Sequence, residues 1–171
     1  MLDALPLPHV FESRAGRATL RRATADDADA LITLLSDDPI SAARGDVASA
    51  EDRPAYETAL AEILAEASND LVVVELAGRV VGTMQLTSIP GMARRGARRL
   101  LVEAVRVRSD LRSSGIGSAM MRWVADAAAP ALDAAMVQLT SDAARVDAHR
   151  FYERLGYTGS HVGFKLGIPQ D

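Results

Sequence analysis

The run Arg112-Ser113-Ser114-Gly115-Ile116-Gly117-Ser118 is the part of this chain best suited to chemistry on an anion. Gly115 and Gly117 let the backbone approach a ligand closely, while Ser113, Ser114 and Ser118 add little bulk. A helix opening at Ile116 would present N–H groups without intrahelical acceptors at its positive dipole end, a place that suits a phosphate. Two glycines also make an ordinary tight turn between strand and helix, and the loop alone does not separate these readings. Two other glycine-rich patterns are excluded. A dinucleotide fingerprint needs a third small residue where Met120 stands, and the chain holds no GKS or GKT triplet for a Walker loop. With no cysteine, disulfides, thiolate metal sites and a cysteine acyl-enzyme are excluded as well.

The elements that must position this loop are legible on both sides of it. Leu100, Leu101, Val102, Val105 and Val107 form an apolar run, bounded by Arg108, Ser109 and Asp110, that predicts a strand. Ile116, Met120, Trp123, Val124 and Ala127 recur at helical spacing, and Pro130 is expected to end that helix. Upstream, Met1 to Gly16 reads as an irregular arm, Arg17 to Ala23 as a strand, and Thr24 as the cap of a helix that stops near Asp38-Pro39. Residues 40–53 read as a loop, and Pro54 opens a second helix carrying Tyr56, Leu60, Ile63 and Leu64. Leu71–Leu76 and Val80–Leu86 make a hairpin about Ala77-Gly78, followed by a basic connection from Gly91 to Arg99. Met136 to Thr140 predicts a strand, Val146 to Leu155 a helix closed by Gly156, and Val162 to Leu166 a last strand. Strands interleaved with helices, with one antiparallel hairpin, give an α/β domain with a mixed sheet, here a single domain over residues 17–171.

Arg112, Gly115 and Gly117 match the diphosphate loop of the GNAT superfamily of acyl-CoA-dependent N-acetyltransferases, and the strand Val102 to Val107 resembles the strand that precedes it. A second signature, Phe151-Tyr152-Glu153-Arg154-Leu155-Gly156-Tyr157, is similar to the family's FYERLGF. The resemblance spans roughly Thr19 to Leu166. It implies a GNAT fold: a mixed, mostly antiparallel sheet flanked by helices, with a splayed strand at the acetyl-CoA site.

The resemblance also implies roles. Acetyl-CoA, as co-substrate, would lay its diphosphate on Arg112, Ser113, Ser114, Gly115, Ile116, Gly117 and Ser118. Its pantetheine arm would pair beside Val105, Arg106 and Val107, which act mainly through their backbones, and one N–H there would polarise the thioester carbonyl. In the family a bulge frees these groups. An amine with a pKa of about 10.4 must lose a proton before it attacks, a deficit of about three units at pH 7 or roughly 4 kcal/mol. Glu103 is the candidate base: alternation puts it two residues from Val105, and some relatives that acetylate small molecules carry an acid there. Others carry it two residues earlier, at Leu101 here, and Glu103 also reads as an ion-pair partner for Arg98, Arg99 or Arg106. Tyr152 holds the family's tyrosine position and would protonate the leaving thiolate. His149 lies one turn earlier and is a further candidate relay, though a plain surface histidine is the preferred reading. Where many relatives carry an asparagine, seven residues before Tyr152, this chain has Arg145; Asp142 or Ser141 are candidate replacements. In this fold the first two helices cover the acceptor, which singles out Asp46, Glu51, Asp52 and Tyr56.

Composition is ordinary for a soluble globular protein: 49% of residues are hydrophobic and 25% charged. Residues 1–70 hold 14 acidic residues against 6 arginines, and residues 71–171 hold 9 against 13 basic ones, so balances of −8 and +4 give the net −4. A basic half suits an anionic cofactor and an acidic half a cationic acceptor. Overall acidity and 4% aromatic residues disfavour nucleic acid. Neither a leader peptide nor a membrane-spanning run is expected, three histidines at these spacings make no metal site, and the expected location is the cytoplasm. The expected activity is acetyl transfer to a small-molecule primary amine by an enzyme that forms a homodimer. Peptide or protein acetylation and a non-catalytic acyl-CoA sensor are the alternatives.

Overall fold

In the computed structural model of the chain, residues 2–43 and 45–168 are described. They belong to two compact units, Met1–Leu139 and Thr140–Asp171.

The first unit is built on a sheet of six strands in sequential order: β1 (His9–Ser13), β2 (Gly16–Arg22), β3 (Asn69–Leu76), β4 (Arg79–Ile89), β5 (Arg98–Val107) and β6 (Ala134–Leu139). Every neighbouring pair is antiparallel except β5 and β6, which run parallel. The sheet is therefore mixed and mostly antiparallel, with helices against it. Between β2 and β3 lie α1 (Ala28–Ser36), the single turn α2 (Pro39–Ala42) and α3 (Arg53–Ala65). The irregular turn α4 (Ala93–Gly96) leads into β5, and α5 (Ile116–Trp123) carries the chain from β5 toward β6.

Alternation along β3 explains the layers. Leu71 and Val73 pack with Ala28, Leu31 and Leu60, so α1 and α3 cover one face. Val74 points the other way, where its Cβ and the sulfur of Met120 in α5 both crowd Gly82. Ile116, Met120 and Val124 are fully buried there. A Cβ at Gly82 would meet the Arg106 carbonyl at 3.1 Å, tighter than an ordinary contact, so a side chain there would press β4 against β5. The start of α1 is pinned electrostatically. Asp27 accepts from the backbone N–H of Thr24 at 2.8 Å and forms a two-pronged ion pair with Arg21 at 2.8 and 2.9 Å. The Arg21 hydrogen bonds hold the Asp27 carboxyl below its ordinary pKa.

The second unit holds α7 (Val146–Arg154), none of whose residues is buried.

Several expectations are corrected. The expected irregular arm, residues 1–16, contributes a short 3₁₀ turn (Leu2–Ala4) and strand β1, which hydrogen-bonds to β2 in register from His9 with Leu20 to Ser13 with Gly16. The helix after the loop is longer than α5 alone: a π turn (Val124–Ala128) follows without a break and passes into α6 (Ala129–Ala131), so the helical run ends at Ala131, one residue past Pro130. The expected loop 40–53 contains α2. The expected last strand, Val162 to Leu166, is absent, and those residues form neither helix nor strand.

Among the described residues no helix is long and apolar enough to cross a membrane.

Candidate functional site

Strand β5 is regular only in its first half. Its pairing with β6 runs from Arg98 with Ala134 to Val102 with Leu139 and stops there. On the other side, Gly82 pairs with Val107 and Thr83 with Arg106, but Gln85 then pairs with Glu103. Ala104 and Val105 thus face Met84 alone, a β-bulge whose backbone is bent by Ala104 at φ +49°. Beyond Val102 the β5–β6 pairing ends, so among the described residues no strand pairs with the backbone from Glu103 to Val107 on that side. An extended ligand can pair with that edge as an added strand does.

The released strand leads straight into the loop. After a 3₁₀ turn (Ser109–Leu111), Arg112 is extended, Ser113 adopts φ +64° and Gly115 φ +94°. Left-handed residues set among ordinary ones turn successive amides inward and make an anion-binding concavity. Gly115 is the N-cap of α5 and its carbonyl accepts the Ala119 N–H at 3.0 Å, which leaves the amides of Ile116, Gly117 and Ser118 ahead of the first intrahelical bond. A Cβ built on Gly115 would meet nothing within 4 Å, so the concavity is open. The Ser114 hydroxyl is buried there without a hydrogen-bond partner. Open amides, a positive helix end and an orphaned hydroxyl fit a diphosphate.

Two supports of this loop come from residues far away in sequence. Arg14, at the β1–β2 turn, donates its backbone N–H to the Ser114 carbonyl at 2.8 Å and its guanidinium to the Ser113 carbonyl at 3.3 Å. Asp37, at the end of α1, accepts the Ser109 N–H on its carboxylate at 2.6 Å, and its own carbonyl accepts from the Arg112 guanidinium at 2.9 Å. Neither residue stands out in the sequence, because both contacts bridge more than 70 positions.

Glu103 is exposed and sits at the start of the bulge, opposite Gln85. The bulge interrupts the alternation that relates Glu103 to Val105, so the two are linked by adjacency to the bend and not by a shared face. Arg98 donates to the Ser88 hydroxyl at 3.0 Å. Arg106 does more than lend its backbone: it donates to the Val105 carbonyl at 2.9 Å and to the hydroxyl of Ser41 in α2 at 2.7 Å. The bulge is thereby tied to the turn α2. Ser41 in turn is held by its N–H, donated to the Asp38 carboxylate at 2.8 Å.

In the segment leading to α3, the Tyr56 hydroxyl donates to the Asp46 carboxylate at 2.9 Å. Burial first, then this bond and the charges of Asp46 and Asp52, keep the Tyr56 hydroxyl above its ordinary pKa. Three of the four acceptor candidates, Asp46, Asp52 and Tyr56, therefore act on one another. Glu51 donates its N–H to the Ser49 hydroxyl at 3.2 Å. A surface cleft of about 320 Å³ lies elsewhere, between Leu2, Arg22, Leu64 and Asp70.

In the second unit, Tyr152 makes edge-to-face contacts with Phe151 and Tyr157, with ring centres 5.1 and 5.8 Å away. Burial pushes the Tyr157 hydroxyl up to about 12, with a smaller contribution from Tyr152. The His149 ring lies 2.8 Å from the Asp142 carbonyl, an acceptor only, so Nε2 carries the proton. Asp142 accepts the Ala144 N–H at 2.8 Å, Arg145 occupies the N-cap of α7, and the Ser141 hydroxyl is buried without a partner.

Comparison with known proteins yields consistent matches. The family model described as "Acetyltransferase (GNAT) family" matches residues 29–157. Among solved structures, a transcriptional regulator from Bacillus halodurans C-125 is 32% identical, with 94% of this chain and 100% of that chain covered at a TM-score of 0.80. The glucosamine-6-phosphate N-acetyltransferase from Arabidopsis thaliana shares the fold at 17% identity, covering 89% of this chain and 99% of its own, with a TM-score of 0.71. A ribosomal-protein-alanine N-acetyltransferase from Brucella melitensis biovar Abortus 2308 does so at 18% identity, with 89% and 99% covered and a TM-score of 0.68. No curated protein matches the sequence.

Proposed function

Because the chain belongs to the GNAT acetyltransferase family, we propose that it transfers acetyl from acetyl-CoA to a primary amine of a small molecule, by direct attack in a ternary complex. Bound acetyl-CoA supplies the activated thioester. Arg112 and the amides of Ile116, Gly117 and Ser118 hold its diphosphate, with Ser113, Ser114 and Gly115 shaping the concavity. The β6-side edge of β5 at Val105, Arg106 and Val107 holds the pantetheine arm, and an N–H near the bulge stabilises the oxyanion formed when the amine adds to the carbonyl. Glu103 accepts the amine proton, directly or through water. The C–N bond forms, the C–S bond breaks, and the Tyr152 hydroxyl donates its proton to the departing thiolate, whose basicity a phenol of pKa about 10 matches closely.

The observation that carries this reading is the conjunction within β5 and its loop: a strand released by a bulge that feeds directly into an open ring of amides. Asp46 and Asp52, gathered about Tyr56, give the α2–α3 segment the negative charge that a cationic amine requires. That charge favours a compact amine over a peptide, whose recognition calls for an extended groove.

The test is to supply acetyl-CoA with separate panels of small amines and of peptides, and to follow thiol release. The chain has no cysteine, so all thiol in the assay is coenzyme A. Release with small amines alone supports the proposal. Release with peptides alone reassigns the acceptor, and coenzyme A binding in calorimetry without turnover on any acceptor makes the protein a sensor.

A further inference from the structure

The bulge in β5 changes which of its side chains share a face. Thr83 and Gln85 lie two residues apart in β4 and so face the same way. Arg106 pairs with Thr83, and Glu103 pairs with Gln85. Glu103 and Arg106 are three residues apart, a spacing that regular alternation would split between the two faces, and the extra residue of the bulge brings them onto one. Strand β3 identifies that face. Val73 pairs with Thr83 and Leu71 with Gln85, and both pack with Ala28 and Leu31 of α1 and Leu60 of α3. The candidate base and the Arg106 side chain therefore lie toward the same helices, whereas Val107, opposite Gly82, lies toward α5.

From that position Arg106 spans two elements. Its guanidinium donates to the Val105 carbonyl inside the bulge at 2.9 Å and to the Ser41 hydroxyl in α2 at 2.7 Å. Ser41 is buried, and its backbone carries the tie onward. Its N–H donates to the Asp38 carboxylate at 2.8 Å, and its carbonyl accepts the Asp46 N–H at 3.2 Å. Asp46 in turn accepts from the Tyr56 hydroxyl at 2.9 Å. Hydrogen bonds thus run residue by residue from the bulge through Arg106, Ser41 and Asp46 to Tyr56. Two acceptors on different elements call for a planar fork, and the ammonium of a lysine, a single point of charge, does not reproduce it.

We infer that Arg106 is a positioning residue for the acceptor: its side chain holds α2, and with it Asp46 and Tyr56, over the face of β5 that carries Glu103. The inference rests on the acetyl-transfer reading and adds to it a residue that acts through α2. The groups that draw the amine in and the group that takes its proton then keep one spacing relative to the bulge. Without the fork α2 shifts and the amine is held less well, while the cofactor edge, which is backbone, is kept.

The test is steady-state kinetics with both substrates varied, joined to hydrogen exchange of residues 38–42. Arg106→Gln should raise KM for the amine roughly tenfold or more with KM for acetyl-CoA unchanged. Arg106→Lys should not restore it. Ser41→Ala should act in the same direction, and the double variant Arg106→Gln/Ser41→Ala should be no worse than Arg106→Gln alone, since both cut one tie. Amides 38–42 should exchange faster in each variant. An unchanged KM for the amine, a KM for acetyl-CoA that rises in step with it, full rescue by lysine, additive effects or unaltered exchange would each overturn the assignment. Ser41→Ala removes a single oxygen, so the test stands even if the Arg106 variants fail to fold. A parent chain that acetylates no amine would instead defeat the acetyl-transfer reading, and this assignment with it.

Discussion

Gly115→Ala separates what the loop needs for folding from what it needs for its ligand. At φ +94° an alanine is strained, which costs about 1–2 kcal/mol. Its Cβ would meet no atom within 4 Å, so no clash adds to that strain. The variant should fold, with a melting temperature lower by roughly 2–8 °C for a chain of this size. Coenzyme A binding should suffer separately, because the methyl group enters the concavity and relief of the strain turns an amide away. One charge-assisted hydrogen bond lost, about 1.5–3 kcal/mol, weakens binding roughly ten- to a hundredfold. Gly78→Ala is the matched control. It lies in the β3–β4 turn at φ +74°, also with open space around its Cβ, so it should lower the melting temperature comparably while leaving binding untouched. Calorimetric titration with coenzyme A and thermal denaturation of both variants give the answer. If Gly115→Ala binds coenzyme A as tightly as the parent while melting earlier, the open amides past Arg112 do not hold the diphosphate.

Tyr152→Phe should slow turnover more than tenfold with coenzyme A affinity unchanged; steady-state rates together with calorimetry check this, and an unaltered rate would remove Tyr152 from the mechanism. Glu103→Gln should lower kcat at pH 7 while KM for acetyl-CoA holds; an unchanged kcat assigns the proton to another acceptor. Arg21→Leu leaves the buried Asp27 carboxylate without its main partner and should cost about 3 kcal/mol at pH 7 by urea denaturation. Asp27 is depressed from its ordinary 3.8 in the folded chain, so this contribution is present above that pH and fades as pH falls through the lower folded value. The gap between parent and variant should therefore close in acid, and a gap that persists there would locate the stabilisation elsewhere.

Local patterns in the sequence announce much of this molecule, and long-range contacts account for most of what they miss. The Arg112 to Ser118 loop is legible because its glycines, its helix start and its strand lie within a few residues of one another. The bulge that releases β5 is not, since Ala104 is an ordinary strand residue in composition, and only pairing with β4 reveals its left-handed backbone. Arg14 and Asp37 buttress the loop from 99 and 72 positions away, beyond the reach of any spacing rule. Strand β1 escapes notice because Pro6 and Pro8 precede it and its burial alternates only weakly, so it is held by its ladder to β2 more than by its side chains. Pro130 marks the helix end to within one residue, since the helical run that begins at Ile116 stops at Ala131. Residues Val162 to Leu166 carry the alternation of a strand without being one.

The acceptor side shows the same division. Asp46 and Tyr56 are picked out as polar residues near two helices, and the structure joins them in a hydrogen bond. The tie from Arg106 to Ser41 was not legible, yet it fixes the turn α2 to the bulge where the reaction is proposed to occur.

The most direct test of the central claim is a crystal structure of the protein with coenzyme A bound. The diphosphate oxygens should lie within hydrogen-bonding distance of the amides of Ile116, Gly117 and Ser118, with the pantetheine arm paired along Glu103 to Val107. A diphosphate bound elsewhere, with those amides closed by the protein's own groups, would contradict it.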